Sequence, residues 1–438
     1  MIKKIMKFFS PLPSKEKLAE DKKHLKKLQW SVFLSATIGY GLYYVCRLSL
    51  SVVKKPLVDG GILTENELGI VGSALFFTYA AGKFANGFMA DRINIKRFMA
   101  IGLLISALVN ITLGFSHSFW AFVILWGVNG WAQSMGAPAS VVGLSRWFTD
   151  KERGSYYGFW SASHNIGEAL TFIATAFVVS IAGWRWGFEA AGIAGLIGAT
   201  IILFFLHDSP TSKGLTSVMP AKEINKSVGA TQLEVLKNPL IWILALSSAC
   251  MYISRYAINS WGIFFLENEK SYTSVQASSI IAVSSVCGII GTVLSGVLSD
   301  KLFKGNRNIP ALIFGICNTI AITLFVFVPK GYFAIDIFSM ILFGLSIGVL
   351  ICYQGGLMAV DIAPKKASGA ALGVIGIASY IGAGVQDILS GRLIGESKTI
   401  VNGIAAYDFS SIRYFWIAAA IISVLLCACL WRGRTTAK

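Results

Sequence analysis

Apolar residues in this chain gather into long stretches separated by short polar connections, and charged residues interrupt those stretches one at a time. A bilayer-spanning helix needs about 20 mostly apolar residues. Twelve stretches qualify, at approximately 29–53, 67–90, 97–115, 119–145, 155–181, 187–206, 240–266, 275–298, 309–328, 335–360, 368–394 and 412–431. The pattern predicts an all-α membrane protein with twelve transmembrane helices in two six-helix halves. The expected units are a basic arm at 1–28, a first half at 29–206, a linker at 207–238, a second half at 239–432 and a tail at 433–438.

The halves repeat each other. Tyr44-Val-Cys-Arg47 in the first stretch matches Tyr252-Ile-Ser-Arg255 in the seventh. Gly87-Phe-Met-Ala-Asp91-Arg92 after the second matches Gly296-Val-Leu-Ser-Asp300-Lys301 after the eighth. Gly154, Gly158 and Gly167 are echoed by Gly369, Gly373 and Gly382. Parallel repeats with a site at their interface are the build of secondary transporters. The Gly-x-x-x-Asp-basic turns resemble the loop signature of the major facilitator superfamily.

Composition agrees with the membrane class. The 438 residues are 55% hydrophobic and 14% charged, against about 25% charged in an average soluble domain. The net charge of +16 comes partly from nine lysines between Lys3 and Lys27, an arm suited to an anionic lipid face. Without a basic soluble domain, nucleic acid is not an expected partner. Basic residues concentrate in one set of connections, including Lys96, Arg97, Arg146, Lys151, Arg153, Lys365 and Lys366. The other set is sparser, with Lys54, Lys55, Arg185, Lys270 and Lys330. Both termini are therefore expected on the cytoplasmic side. The seven cysteines all lie in apolar stretches and read as small hydrophobes. No nucleophile–base pair, metal cluster or phosphate-binding glycine loop stands out, so neither an enzyme nor a cofactor is expected.

Candidate chemistry lies where charge is costly. A charged side chain at mid-bilayer costs about 2.5–3.5 kcal/mol or more, yet Arg47 and Arg255 fall near the middle of their stretches. Guanidinium binds phosphate through a planar fork that lysine cannot reproduce, so a matched pair, one per half, points to a shared phosphorylated ligand. The alternative is that each arginine pairs with a carboxylate of its own half, for which Glu168, Glu189 and Asp387 are available. Lys83 lies within the second stretch, where it either faces the site or snorkels to the membrane edge. His164 lies in the fifth, deep enough to donate to an anion or to pack between helices. Tyr40, Tyr44 and Arg47 share a helical face, and Tyr252 repeats the arrangement before Arg255. Asn259 and Trp261 follow on the outer side. Gly127, Gly130, Gly136, Gly143, Gly344 and Gly348 are expected where helix backbones approach closely.

A closer resemblance rests on particular segments. Gly39-Tyr-Gly-Leu-Tyr-Tyr-Val-Cys-Arg47, Lys83-Phe, Val128-Asn-Gly-Trp-Ala-Gln-Ser-Met-Gly136 and His164-Asn-Ile-Gly167 look like the organophosphate:phosphate antiporter family. So do Arg255-Tyr-Ala-Ile-Asn-Ser-Trp261-Gly and Ser299-Asp300-Lys301 through Arg307. The resemblance implies that Arg47 and Arg255 bind phosphate, that His164 assists, and that Lys83, Tyr40, Tyr44 and Tyr79 line the site. Three departures stand out: Leu48-Ser49 after the first arginine, Glu168 in place of a glycine, and a missing Gly-Pro in the tenth stretch. Glu168 and Asp387 are therefore candidates for selectivity or coupling.

The resulting expectation is a monomeric antiporter of a bacterial inner membrane. It would exchange a sugar phosphate, glucose 6-phosphate by preference, for inorganic phosphate. Glycerol 3-phosphate exchange, a proton-coupled carrier using Glu168 and Asp387, and a transporter-like sensor of external hexose phosphate are the alternatives.

Overall fold

The computed structural model describes residues 8–13, 21–90, 93–218, 235–303, 306–363, 368–401 and 404–430. Much of the lysine arm, Asp91-Arg92, Lys365-Lys366 and the tail at 433–438 lie outside the described residues, and the linker is described only at 207–218 and 235–238.

Six helical segments build the first lobe. They are α1 (Lys22–Asp59), α2 (Glu65–Ala90), α3 (Ile95–Gly114), a broken α4 (Phe119–Gln133 and Gly136–Trp147), α5 and α6 (Trp184–Phe205). The fifth, α5, runs from Asp150–Leu170 through a π turn at Thr171–Thr175 into Ala176–Ala182. The second lobe holds α7 (Pro239–Glu269), α8 (Ser274–Val297), α9 (Asn308–Phe327), α10, α11 (Ser368–Glu396) and α12 (Ser410–Cys429). Like α5, α10 passes through a π turn, from Phe333–Cys352 to Met358–Ile362. Among the described residues, ten helices are long and apolar enough to cross a membrane by themselves. The exceptions are α1, which carries several basic residues and tyrosines, and the broken α4.

Local chemistry sets the helix starts. Asp21 caps α1 by accepting from the His24 amide at 2.9 Å, Asn238 caps α7 ahead of Pro239, and a Thr273–Gln276 capping box opens α8. Lys54, expected in a connection, instead lies inside α1, which continues to Asp59. A short antiparallel hairpin was also unexpected: β1 (Lys398–Val401) pairs with β2 (Ile404–Tyr407) between α11 and α12, with Lys398 opposite Tyr407.

Between the lobes, α2 packs on α11, α5 on α8, and α1 on α7. Advancing by six segments exchanges the first two pairs, which is what an internal repeat predicts. At one end the fit is tight. A side-chain carbon on Gly69 would stand 2.5 Å from the Asp387 carbonyl oxygen, and one on Gly391 would stand 2.6 Å from that of Glu65. At the other end, carbons added at Gly87, Gly158, Gly296, Gly369 and Gly373 would meet nothing within 4 Å. Helices α2 and α11 are thus pinched together at one end, and all four interlobe helices carry unobstructed glycines at the other. Inside the lobes, Gly130 approaches the Leu75 backbone, Gly344 that of Ser284 and Gly348 that of Gly288, the close approaches expected of those glycines.

Candidate functional site

The interface centre is built on α1 and α7. Three side-chain amides from the first lobe seize α1 by its carbonyls: Gln133 donates to Tyr43 at 2.9 Å, and Asn110 and Asn129 donate to Cys46 at 2.9 and 3.1 Å. Polar groups inside an apolar bundle must find such partners. Fixing that face of the helix orients the neighbouring one, with Tyr40, Tyr44 and Arg47, and Arg47 reaches the second lobe.

Arg47 is 4% exposed and donates from Nη2 to the Tyr256 hydroxyl across the interface at 3.0 Å. Its guanidinium carbon lies 4.4 Å from the Tyr79 ring centre, 5.3 Å from Tyr380 and 5.5 Å from Tyr44. A cation over aromatic faces is stabilised by their negative quadrupole. Among the described residues Arg47 makes no ion pair, and its Nε is buried without a hydrogen-bond partner. Arg255, equally buried, stands 5.4 Å from the Tyr256 ring centre, where Arg47 stands at 5.9 Å. Both guanidinium groups therefore lie within 6 Å of one ring centre.

Arg255 does have an acid. Its Nη2 reaches Glu168 Oε2 at 3.4 Å. Glu168 Oε1 also accepts from Asn259 at 2.7 Å and Ser285 at 2.9 Å. Glu168 belongs to α5 and its three partners to α7 and α8, so this carboxylate ties one lobe to the other. Same-half pairing of each arginine is corrected: Arg255 takes its acid from the opposite lobe, and Glu189 sits beside Gly114 at the closed end of α3.

Other expected residues assemble around this pair. The Tyr40 ring stacks on Trp160 at 4.7 Å, and Tyr44 lies 5.4 Å from the His164 ring. His164 holds the Ser161 carbonyl through Nδ1 and lines one cavity with Glu168, Arg255, Asn259 and Ser285. Lys83 Nζ stands 5.3 Å from the Tyr380 ring centre, and the Tyr79 and Tyr252 rings approach Tyr380 at 4.3 and 5.4 Å. Asp387 is not part of this group. It lies on the closed side, where it pairs with Lys54 at 3.5 Å and accepts from Ser260 and from Trp261, each at 2.6 Å. A second cavity connects Asp387 and Ser260 with Arg47, Ser51 and Tyr256.

Four residues escaped the sequence reading. Tyr256 was open to it, standing next to Arg255 and one turn beyond Tyr252. Tyr380, Ser285 and the burial of Lys54 carry no local signal, because each depends on which helix lies opposite.

The fold agrees with comparison to known proteins. The family model described as Major Facilitator Superfamily matches residues 29–386. A probable hexose phosphate transport protein of Chlamydia pneumoniae is 35% identical, with 86% of this chain and 88% of that protein covered. The membrane sensor protein UhpC of Salmonella typhimurium is 31% identical over 81% and 83% of the two chains. A glycerol-3-phosphate transporter of Haemophilus influenzae is 30% identical over 95% and 94%. Among solved structures, a bacterial homolog of the lysosomal transporter Spinster, inward-facing and unoccupied, has a TM-score of 0.74 at 17% identity, covering 92% of this chain and 96% of that one. The nucleoside transporter NupG has a TM-score of 0.71 at 15% identity, covering 92% and 99%. The likeness to these two concerns fold alone. This chain is an integral membrane protein of the major facilitator superfamily, a family of transporters rather than enzymes, and belongs to its organophosphate:phosphate antiporter-like branch.

Proposed function

We propose that this protein exchanges a sugar phosphate, glucose 6-phosphate by preference, for inorganic phosphate by alternating access. The observation that carries the reading is that Arg47 and Arg255, one from each lobe, both lie within 6 Å of the Tyr256 ring centre. With Lys83 the cluster holds three cations against the single carboxylate of Glu168, leaving two positive charges. A phosphate carries about −1.5 to −2 at neutral pH and balances them. Binding it between the lobes favours the closed form, and only a loaded carrier passes easily through the occluded state. The tyrosines offer hydroxyls and ring faces to the carbon skeleton, and His164, whose Nδ1–H goes to the Ser161 carbonyl, donates to an anion held by Arg255 only as the imidazolium.

The open end carries Lys96, Arg97 and Arg146, so it is assigned to the cytoplasm of a bacterial cell, with both termini there. The substrate choice follows the hexose-phosphate relatives, and glycerol 3-phosphate is the second candidate. The relatives named as sensors support a second reading, in which the same pocket reports external hexose phosphate.

Liposomes containing this protein alone and loaded with labelled phosphate decide among these. Antiport predicts that external glucose 6-phosphate releases the label and that glucose does not. Uptake driven by a pH gradient without internal phosphate would establish the proton-coupled carrier instead. Binding without any flux would leave the sensor.

A further inference from the structure

Seven residues beyond Arg47, α1 presents a second buried cation. Arg47, Ser51 and Lys54 follow at spacings of four and three, hence on one helical face. Lys54 is 1% exposed. It donates to Ser260 Oγ at 2.8 Å, lies 3.5 Å from Asp387 Oδ1 and rests 3.5 Å from the Trp261 ring centre. All three partners belong to the second lobe. Asp387 fits there because Gly72 of α2 has no side chain; a Cβ on Gly72 would fall onto the Asp387 carboxylate.

The two members of this pair differ in what they keep if the lobes part at this end. Asp387 retains Ser260 and Trp261, which donate to it from its own lobe at 2.6 Å each. Lys54 stays on α1 and loses every partner described for it. A buried ion pair adds little net stability but is costly to break on one side only, which suits a contact made and unmade in a cycle. The freed ammonium would stand about 10 Å along the helix from Arg47, over the cavity that already joins Arg47 and Ser51.

We propose that the Lys54–Asp387 pair is the gate of the closed end, and that Lys54, unmasked when this gate opens, is the first cationic contact for a phosphate entering from that side, handing it to Arg47. The proposal rests on the antiport reading of the Arg47–Arg255 site and adds a residue to it.

Two readouts test it in reconstituted protein: sided exchange of glucose 6-phosphate for inorganic phosphate, and the distance between spin labels on Asn66→Cys and Arg392→Cys at the closed end. Lys54→Met and Asp387→Asn should both widen the label distance. Lys54→Met should raise the KM for substrate on the gated side about tenfold while the opposite side moves less than about twofold. Lys54→Arg should restore that KM, and Asp387→Asn, which keeps the ammonium, should leave it near normal. Equal KM changes on both sides, or an Asp387→Asn defect matching that of Lys54→Met, would overturn the capture role; unchanged label distances in both variants would overturn the gate. Unmodified protein that exchanges no phosphate would refute the antiport reading and remove the capture role with it, leaving the label distances to judge the gate.

Discussion

Arg255 reaches Glu168 across the lobe interface at 3.4 Å, so an acid of the first lobe occupies the cation of the second. On the proposed reading a ligand phosphate at Arg255 competes with Oε2 of that carboxylate, while Oε1 keeps Asn259 and Ser285.

Glu168→Gln keeps acceptor and shape but removes the competing charge. Phosphate should bind more tightly by about 1–2 kcal/mol, a factor of roughly five to thirty, measured by equilibrium binding to purified protein. Unchanged or weaker binding would show that Glu168 does not compete with the ligand.

Arg47→Lys preserves charge and loses the planar fork that already engages Tyr256. A charge-assisted hydrogen bond is worth about 1.5–3 kcal/mol, so kcat/KM for exchange should fall roughly ten- to hundredfold with insertion unaffected. Full activity in this variant would remove Arg47 from the binding site.

Gly69→Val tests the pinched end. Its first side-chain carbon would stand 2.5 Å from the Asp387 carbonyl oxygen, a backbone atom that cannot swing aside. Overpacking of this kind costs about 1–3 kcal/mol, and here only the conformation closed at this end bears it. Maleimide labelling of a cysteine placed at Ser51 should quicken from that side; an unchanged rate would mean that α2 and α11 need not meet this closely.

His207, just beyond α6, has its pKa lowered to about 4 by burial and by the neighbouring cations Lys213 and Lys96. Its value in an unfolded chain is about 6.5. Between those values the unfolded state takes up a proton that the folded state refuses, so stability falls as pH drops from about 6.5 toward 4. Thermal melts of purified protein should show His207→Gln losing less than the wild type over that interval. Parallel losses would place the acid sensitivity elsewhere.

Much of the candidate site was legible in the sequence because its signals are local. An arginine inside an apolar stretch is expensive wherever it is met, and Tyr40, Tyr44 and Arg47 share a face through helical geometry alone. The hairpin was missed although Thr399-Ile-Val-Asn402-Gly403-Ile carries the Asn-Gly signal of a tight turn; four-residue strands leave little trace between two long apolar segments. Asn402 and Gly403 themselves lie outside the described residues.

Apolar length, the duplicated arginine phrase and the repeated glycine–aspartate turn determined by themselves that this is a membrane protein of two related six-helix halves. They did so because spanning length and charge burial are properties of single segments. Only the tertiary structure decided that Glu168 answers Arg255, that Tyr380 completes the aromatic ring around Arg47, and that Lys54 lies buried against Asp387, 333 residues away. Those contacts depend on how two lobes are set against each other, and no stretch of chain contains that geometry.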